Sequence, residues 1–309
     1  MPEFVTAAGR PCVIGVGHAS IDHVFEVQAL PLAPVKVSAQ AYRVQVGGMT
    51  ANAAVAAARL GARARIVAPV GDDGWVDAFR LHFMRHGVDA HGLVAVPGAQ
   101  SSVAAVVVDA TGQRLIIGHR GDALTRAPAW DASALDGADV LLTDPRCPAW
   151  CRGALEAARA RGITSVLDAD VAPPEDLRQM VPLAHWAVFS EPGLQAFAGV
   201  GRTLEEGLRA ALAAGARQAV VTLGERGLLW LPARGALQHI PAFEVPQVVD
   251  TTGAGDVFHA ALGHALGREL PSAEALRFAA AAAALKCTRP GGALAAPTLE
   301  EVEARLRQA

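Results

Sequence analysis

The sequence predicts an α/β protein. Residues 1–309 read as a single domain, a mostly parallel central sheet with helices on both faces, carrying a small β-sheet lid. Three observations predict it. Apolar strands alternate with helical-period segments through the second half of the chain, the pattern of βαβ units on a parallel sheet. Two regions, about 21–46 and 88–120, have strand character without helical crossovers, which assigns them to the lid. No internal repeat or low-complexity linker divides the chain.

CVIGVG (12–17) is an apolar run ending in glycine, a buried first strand. IDHVFEV (21–27) alternates apolar and polar, and KVSAQAYRVQV (36–46) does so loosely, so the two pair within the lid. GGMTANAAVAAARLGA (47–62) switches to helical period, with Thr50 or Asn52 near its start and Gly61 as its stop. ARIVAPVGDD (64–73) is strand then loop, and GWVDAFRLHFMRHG (74–87) is a helix closed by Gly87. VAAVVVD (103–109) and QRLIIG (113–118) flank Ala110-Thr111-Gly112 as a hairpin. Strands follow at DVLLTD (139–144), ITSVLDAD (163–170), HWAVFS (185–190) and QAVVTLG (218–224). Helices lie between them, one of them AWCRGALEAARARG (149–162), ended by Gly162. GLLWLP (227–232) and ALQHIPAF (236–243) form a second hairpin, and helices at 254–267, near 272–286 and 298–308 finish the chain.

Composition excludes several function classes. Hydrophobic residues make up 52% and charged residues 18%, enough apolar material for a large core. A net charge of −3 leaves no electrostatic footprint for nucleic acid. Only Lys36 and Lys286 are lysines, and the arginines are scattered as on a solvated surface. Four cysteines are too few for a disulfide scaffold, and the lone C-x3-C of Cys147 and Cys151 reads as reduced thiols rather than a zinc site. The first eleven residues do not read as a signal peptide, and the Ala-rich run Phe278–Leu285 is too short to span a bilayer. These features favour a soluble cytoplasmic protein.

The chemistry concentrates in VVDTTGAGDVFHAAL (248–262). Glycines let backbone amides approach a ligand, and the helix that follows adds unpaired N–H groups and a positive dipole end, which together suit a phosphate. A carboxylate there, Asp256, makes sense if it faces an attacking hydroxyl and accepts its proton. The plainer alternative is an acidic residue in a first helical turn, stabilised by the dipole.

DTTGAGD resembles the signature of the ribokinase-like (PfkB) carbohydrate kinases. VGGMTANAAVAAARLGA matches that family's first pattern, a Gly-Gly pair opening a helix near the N-terminus. Both stand in the family's order, and the resemblance covers almost the whole chain. It implies a ribokinase-like fold and transfer of the ATP γ-phosphoryl group to a sugar hydroxyl, with Mg2+ on the phosphates. Asp256 is then the catalytic base, and Gly253, Ala254 and Gly255 supply the anion hole. Asp250 and Thr252 match positions that hold a monovalent cation, K+, in many relatives. Thr222, Gly224 and Gly227 in TLGERG match a nucleotide-binding turn. Asp22, Gly47, Gly48 and Asn52 match the sugar site, although Asn52 also suits a plain helix cap.

The family's N-x-x-E motif is absent. FSEPGL puts Ser190, on the nucleotide side, and Gly193 at its two ends, which leaves the arrangement of magnesium open. FSEPGL, VLDAD and RFAAAAAALKCTRPGG are similar to one branch, the kinases that phosphorylate the 1-hydroxyl of 6-deoxy-6-sulfofructose. Arg146 falls where that branch places an arginine on the sulfonate; as a residue after a strand it also reads as surface. LIIGHRG departs from the branch, with Gly118 and His119 where an asparagine is expected.

Rival readings are weaker. IGVGHAS (14–20) begins like a dinucleotide fingerprint, but Ser20 replaces the third glycine and a strand follows. No P-loop and no G-x-S-x-G elbow occurs. A neutral-sugar kinase, a nucleoside kinase and an inactive sugar or nucleotide sensor remain as alternatives. A lid with a free sheet edge also suggests a homodimer formed through it.

Overall fold

The computed structural model describes residues 9–31, 33–110 and 113–308. Thr111 and Gly112 of the expected hairpin turn, and residues 1–8 of the segment read for a leader, lie outside them. In chain order come β1 (Cys12–Val16), β2 (Ser20–Glu26), β3 (Ala41–Gly47), α1 (Met49–Arg59), β4 (Arg63–Gly71), α2 (Val76–Arg85) and β5 (Val88–Val96). Then follow β6 (Ser102–Val108), β7 (Arg114–His119), α3 (Ala123–Arg126), β8 (Val140–Thr143), α4 (Pro148–Arg161), β9 (Thr164–Ala169) and α5 (Pro174–Met180). The rest are β10 (Trp186–Ser190), α6 (Glu191–Ala198), α7 (Leu204–Ala214), β11 (Gln218–Thr222), β12 (Leu228–Pro232), β13 (Gln238–Ile240), α8 (Ala254–Gly267), α9 (Ser272–Cys287) and α10 (Leu299–Arg307).

Nine strands form the main sheet in the order β13-β12-β11-β10-β9-β8-β1-β4-β5. From β5 to β11 the pairing is parallel, and β12 and β13 add an antiparallel end. Each strand splits its apolar residues by alternation, as a sheet covered on both faces requires. Val13, Val140, Leu142, Val166 and Val188 pack with α1, α8 and α9. Ile14, Val16, Leu141, Leu167 and Phe189 pack with α4, α5 and α6 on the other face. No helix among the described residues is long and apolar enough to cross a membrane.

The lid is a four-stranded sheet, β3-β2-β6-β7, with β2 and β6 parallel and the outer pairs antiparallel. Its composition corrects the expectation for 88–120. Residues Val88–Val96 pair in parallel with β4 at the edge of the main sheet, with α2 as the crossover. Asp89, His91 and Gly92 interrupt the apolar run and disguise it. A register shift between Arg65 and Val67 seats Gly92 against β4, where a Cβ would lie 2.6 Å from the Ile66 oxygen. The strand expected over 36–46 starts only at Ala41.

Candidate active site

The C-terminal ends of β1, β8 and β9 open beneath the lid, the usual ligand crevice of an α/β sheet. A cavity of about 570 Å³ lies there, lined by Asp22, Gly48, Asn52, Arg146, Asp170, Asp250, Thr252, Gly253 and Asp256, among others. Two helices start at it. Gly48, at φ 102°, precedes α1, and a Cβ on it would meet the His18 carbonyl oxygen at 2.6 Å. Gly253, at φ 74°, precedes α8, and its Cβ would meet the Ala293 nitrogen at 2.7 Å. Both turns therefore demand glycine on conformation and on space.

Asn52 does not cap α1, since Gly48 is the N-cap and no side chain caps that helix. Its amide instead donates to Asp256 Oδ2 at 2.7 Å, joining the two motifs across the chain. Burial, reinforced by the neighbouring Asp168 carboxylate, pushes Asp256 up to about 7, against the lowering effect of Asn52. Desolvation thus outweighs the dipole of the helix on which Asp256 sits. The Ala254 amide donates to the Thr251 oxygen at 3.2 Å, so it is not free for an anion as the sequence suggested. Among the described residues the amides of Gly253, Gly255 and Asp256 make no backbone hydrogen bond.

Behind the cavity lies a floor of carboxylates that sequence reasoning missed. Asp144, fully buried, accepts from the amides of His18 (2.8 Å), Thr50 (3.3 Å) and Arg146 (2.8 Å) and from the Thr50 hydroxyl. It ties the end of β8 to β1 and to the start of α1. Burial and the nearby Asp170 and Asp144 carry Asp168 well above the usual carboxylate range. His259 Nδ1 lies 2.7 Å from the Gly255 oxygen and 3.4 Å from Asp168, with burial lowering its basicity. The available signal was LDAD at a strand end, two carboxylates at the crevice side of a parallel strand.

On the lid side, Ser20 donates to Asp22 Oδ1 at 2.9 Å, and burial raises the Asp22 carboxyl. Gly47 lies opposite Ser20 in the sheet and does not itself line the cavity; a Cβ there would fall 2.0 Å from Asp22 Oδ2. Four arginines, Arg43, Arg114, Arg120 and Arg146, line the cavity. Arg146 lies 3.9 Å from Asp170, so it reaches inward. Arg114, on β7, donates to the hydroxyls of Thr252 and, at 3.3 Å, Thr251, and so latches the lid to the glycine turn.

The expected nucleotide residues stand apart from this cavity, further along the strand ends. Ser190 caps α6 through the Gly193 amide (3.0 Å) and donates to Asp170 (2.6 Å). A Cβ at Gly193 would lie 2.1 Å from the Ala169 oxygen, so the glutamate of an N-x-x-E motif has no room. Thr222 donates to the Phe189 oxygen at 3.2 Å. Gly224 and Gly227 bracket a single 3-10 turn, both at positive φ. Asp250 accepts from the amides of Thr252 (2.8 Å), Gly292 (3.0 Å) and Gly291 (3.2 Å) and pairs with Lys286 at 3.1 Å. Its hydrogen bonds and the Lys286 charge overcome burial and hold its carboxyl far below the usual range. The sequence reading passed over Lys286.

Comparison with known proteins agrees with this architecture. The model of the pfkB family of carbohydrate kinases matches residues 12–299. The ribokinase of Bacillus subtilis is 32% identical over 304 residues, 94% of this chain and 97% of that protein. Fructokinase-1 of Zea mays is 30% identical over 322 residues, 96% of this chain and 98% of that protein. The crystal structure of ribokinase from Thermotoga maritima superposes with a TM-score of 0.83 at 29% identity, covering 96% of this chain and 99% of that one. Two glycine-opened helices meeting through Asn52 and Asp256, on a ribokinase-like sheet, thus find their counterpart in sequence: the chain belongs to the pfkB family of carbohydrate kinases.

Proposed function

We propose that this ATP-dependent sugar kinase uses Asp256 as its base to phosphorylate a primary hydroxyl of a ketose-type sugar. The observation that carries the reading is Asp256 itself, open to the cavity at the start of α8 and held by Asn52. The sugar lies between the lid and the strand ends, with Asp22, Gly48 and Asn52 as its polar contacts. The nucleotide runs along Thr222–Gly227 and the 283–292 segment, past Ser190. As the hydroxyl oxygen bonds to the γ-phosphorus, its proton passes to Asp256 and the bond to the β-phosphate oxygen breaks, releasing ADP. The amides of Gly253, Gly255 and Asp256 meet the charge on the transferred group. Lid closure keeps water from competing as acceptor.

Magnesium is usually held by one or two carboxylates together with substrate phosphates. Asp170 lines the cavity with a side chain 40% exposed, and it is the group that would hold the ion. Bound there, magnesium would neutralise phosphate charge.

The arginine-lined cavity favours an anionic ketose, 6-deoxy-6-sulfofructose giving a 1-phosphate or a phosphorylated ketose, because guanidinium forks match sulfonate and phosphate oxygens. The relatives named ribokinase and fructokinase support a second reading, a neutral sugar. A phosphorylation screen across sulfofructose, fructose 6-phosphate, fructose and ribose separates them. A wild-type preference for an anionic ketose that disappears in Arg146→Ala supports the first, and a wild-type preference for fructose or ribose supports the second. For the base, Asp256→Asn is expected to lower kcat by about 10²–10⁴-fold with little change in sugar affinity. Near-normal turnover would remove the role. We also propose a homodimer formed through the lid.

A further inference from the structure

The resemblance to the family implies a monovalent cation beside the glycine turn, at Asp250 and Thr252. The residues around Asp250 do not fit one. Lys286, in the last turn of α9, is completely buried, with an exposure of 0%. Its ammonium donates to the Asp250 main-chain oxygen at 2.5 Å and to the Arg289 oxygen at 3.5 Å, and stands 3.1 Å from Asp250 Oδ2. Those oxygens are what a small cation would need, and a unit positive charge already occupies them. A second cation would find the one negative charge of Asp250 neutralised and would face the ammonium at short range.

We propose that Lys286 is a tethered monovalent cation, a positioning residue whose ammonium does the work of an inorganic ion, so that the kinase needs none. Its partners show what it positions. Asp250 receives the Thr252 amide on one oxygen and the amides of Gly291 and Gly292 on the other. Gly253 packs directly on Ala293. The ammonium joins the 250–253 segment to the 289–293 segment by bonding to a carbonyl on each. The amides offered to the transferred phosphoryl group therefore take their position from Lys286. A buried ammonium is tolerable because a carboxylate and two carbonyls surround it. Being part of the chain, it is present at any salt composition.

This inference rests on the 253–256 turn being the anion hole, and its test reads cation occupancy separately from turnover. The protein is exchanged into tetramethylammonium buffer, and kcat and Tm are followed as KCl, NaCl or methylammonium chloride is added. Wild-type kcat and Tm are expected to stay flat on adding K+. Lys286→Ala is expected to lose about 10–100-fold in kcat, the usual cost of removing a positioning partner, with sugar KM little changed. It should regain activity, and gain Tm, with K+ or methylammonium. Lys286→Met, which fills the space without charge, should show the loss and no rescue. Saturable activation of the wild type by K+ overturns the proposal, and this holds whether or not the variants fold. A folded Lys286→Ala that keeps full activity, or whose kcat and Tm ignore every cation, overturns it too. If the Tm response appears but Asp256→Asn still turns over normally, the cation assignment stands and the catalytic reading fails.

Discussion

Asp256 shows what burying a base costs. Folded, its carboxyl keeps its proton up to about pH 7, against an ordinary value of 3.8, with burial as the main cause and Asp168 next. Between those values the folded protein binds a proton that the unfolded chain has released, so this group's contribution to stability falls as pH rises through the window. An asparagine in its place never ionises. Asp256→Asn is therefore expected to be more stable than wild type at pH 8, by on the order of 2–4 kcal/mol, and so to melt at higher temperature. At pH 5 the gain should be smaller, and paired thermal melts at the two values check this. Activity moves the other way, because only the ionised form accepts a proton. kcat/KM should rise with pH through about 7 in the wild type. Asn52 donates to the ionised form and lowers its pKa, so Asn52→Ala should displace that limb to higher pH. A pH–rate profile that is unmoved by the substitution would show that Asn52 does not tune the base.

At the scale of elements, legibility depended on whether the cause was local. α8 begins at Ala254 as its glycine turn and apolar period suggested, and α4 ends at Gly162, in the left-handed conformation that suits glycine. Val88–Val96 was misread because its place is set by a partner strand: a polar, glycine-broken segment becomes a sheet edge only against β4. The pairing of Asn52 with Asp256 was equally hidden, since both residues were assigned to the site on separate motifs and no local pattern joins them. Lys286 lies late in an alanine-rich helix, and no local pattern announces its pairing with Asp250. The lid shows such long-range coupling between elements. Arg114 on β7 donates to Thr251 and Thr252 ahead of α8, so lid closure and the glycine turn share one side chain. Arg114→Ala is expected to raise the KM for sugar more than it lowers kcat, and to increase ATP hydrolysis in the absence of sugar, because a looser lid admits water. Steady-state kinetics with and without sugar checks both; unchanged values would show that the latch is incidental.

Over the whole molecule the two sheets face different problems. The main sheet is covered on both faces by helices and its strand ends gather the chemistry. The lid is thin, with one face on the cavity. On its other side Tyr42 is 56% exposed, Leu115 42% and Ile117 63%, and β3 and β7 are its open edges. Edge strands with an apolar outer face invite pairing with another chain. The occupant favoured by a closed assembly is a second copy of the same chain, because a twofold axis lets one lid cover the other and buries both patches at once. The molecule is expected to elute and scatter light as a dimer, at twice the chain mass of 31.9 kDa. Ile117→Lys places a charge on the exposed edge strand without touching Asp256, Asn52 or the cavity-lining arginines. It should release monomer at low protein concentration, with the secondary structure retained by circular dichroism. A wild type that scatters as a monomer at every concentration rejects the lid-to-lid contact. A variant that stays dimeric places the contact elsewhere on the surface.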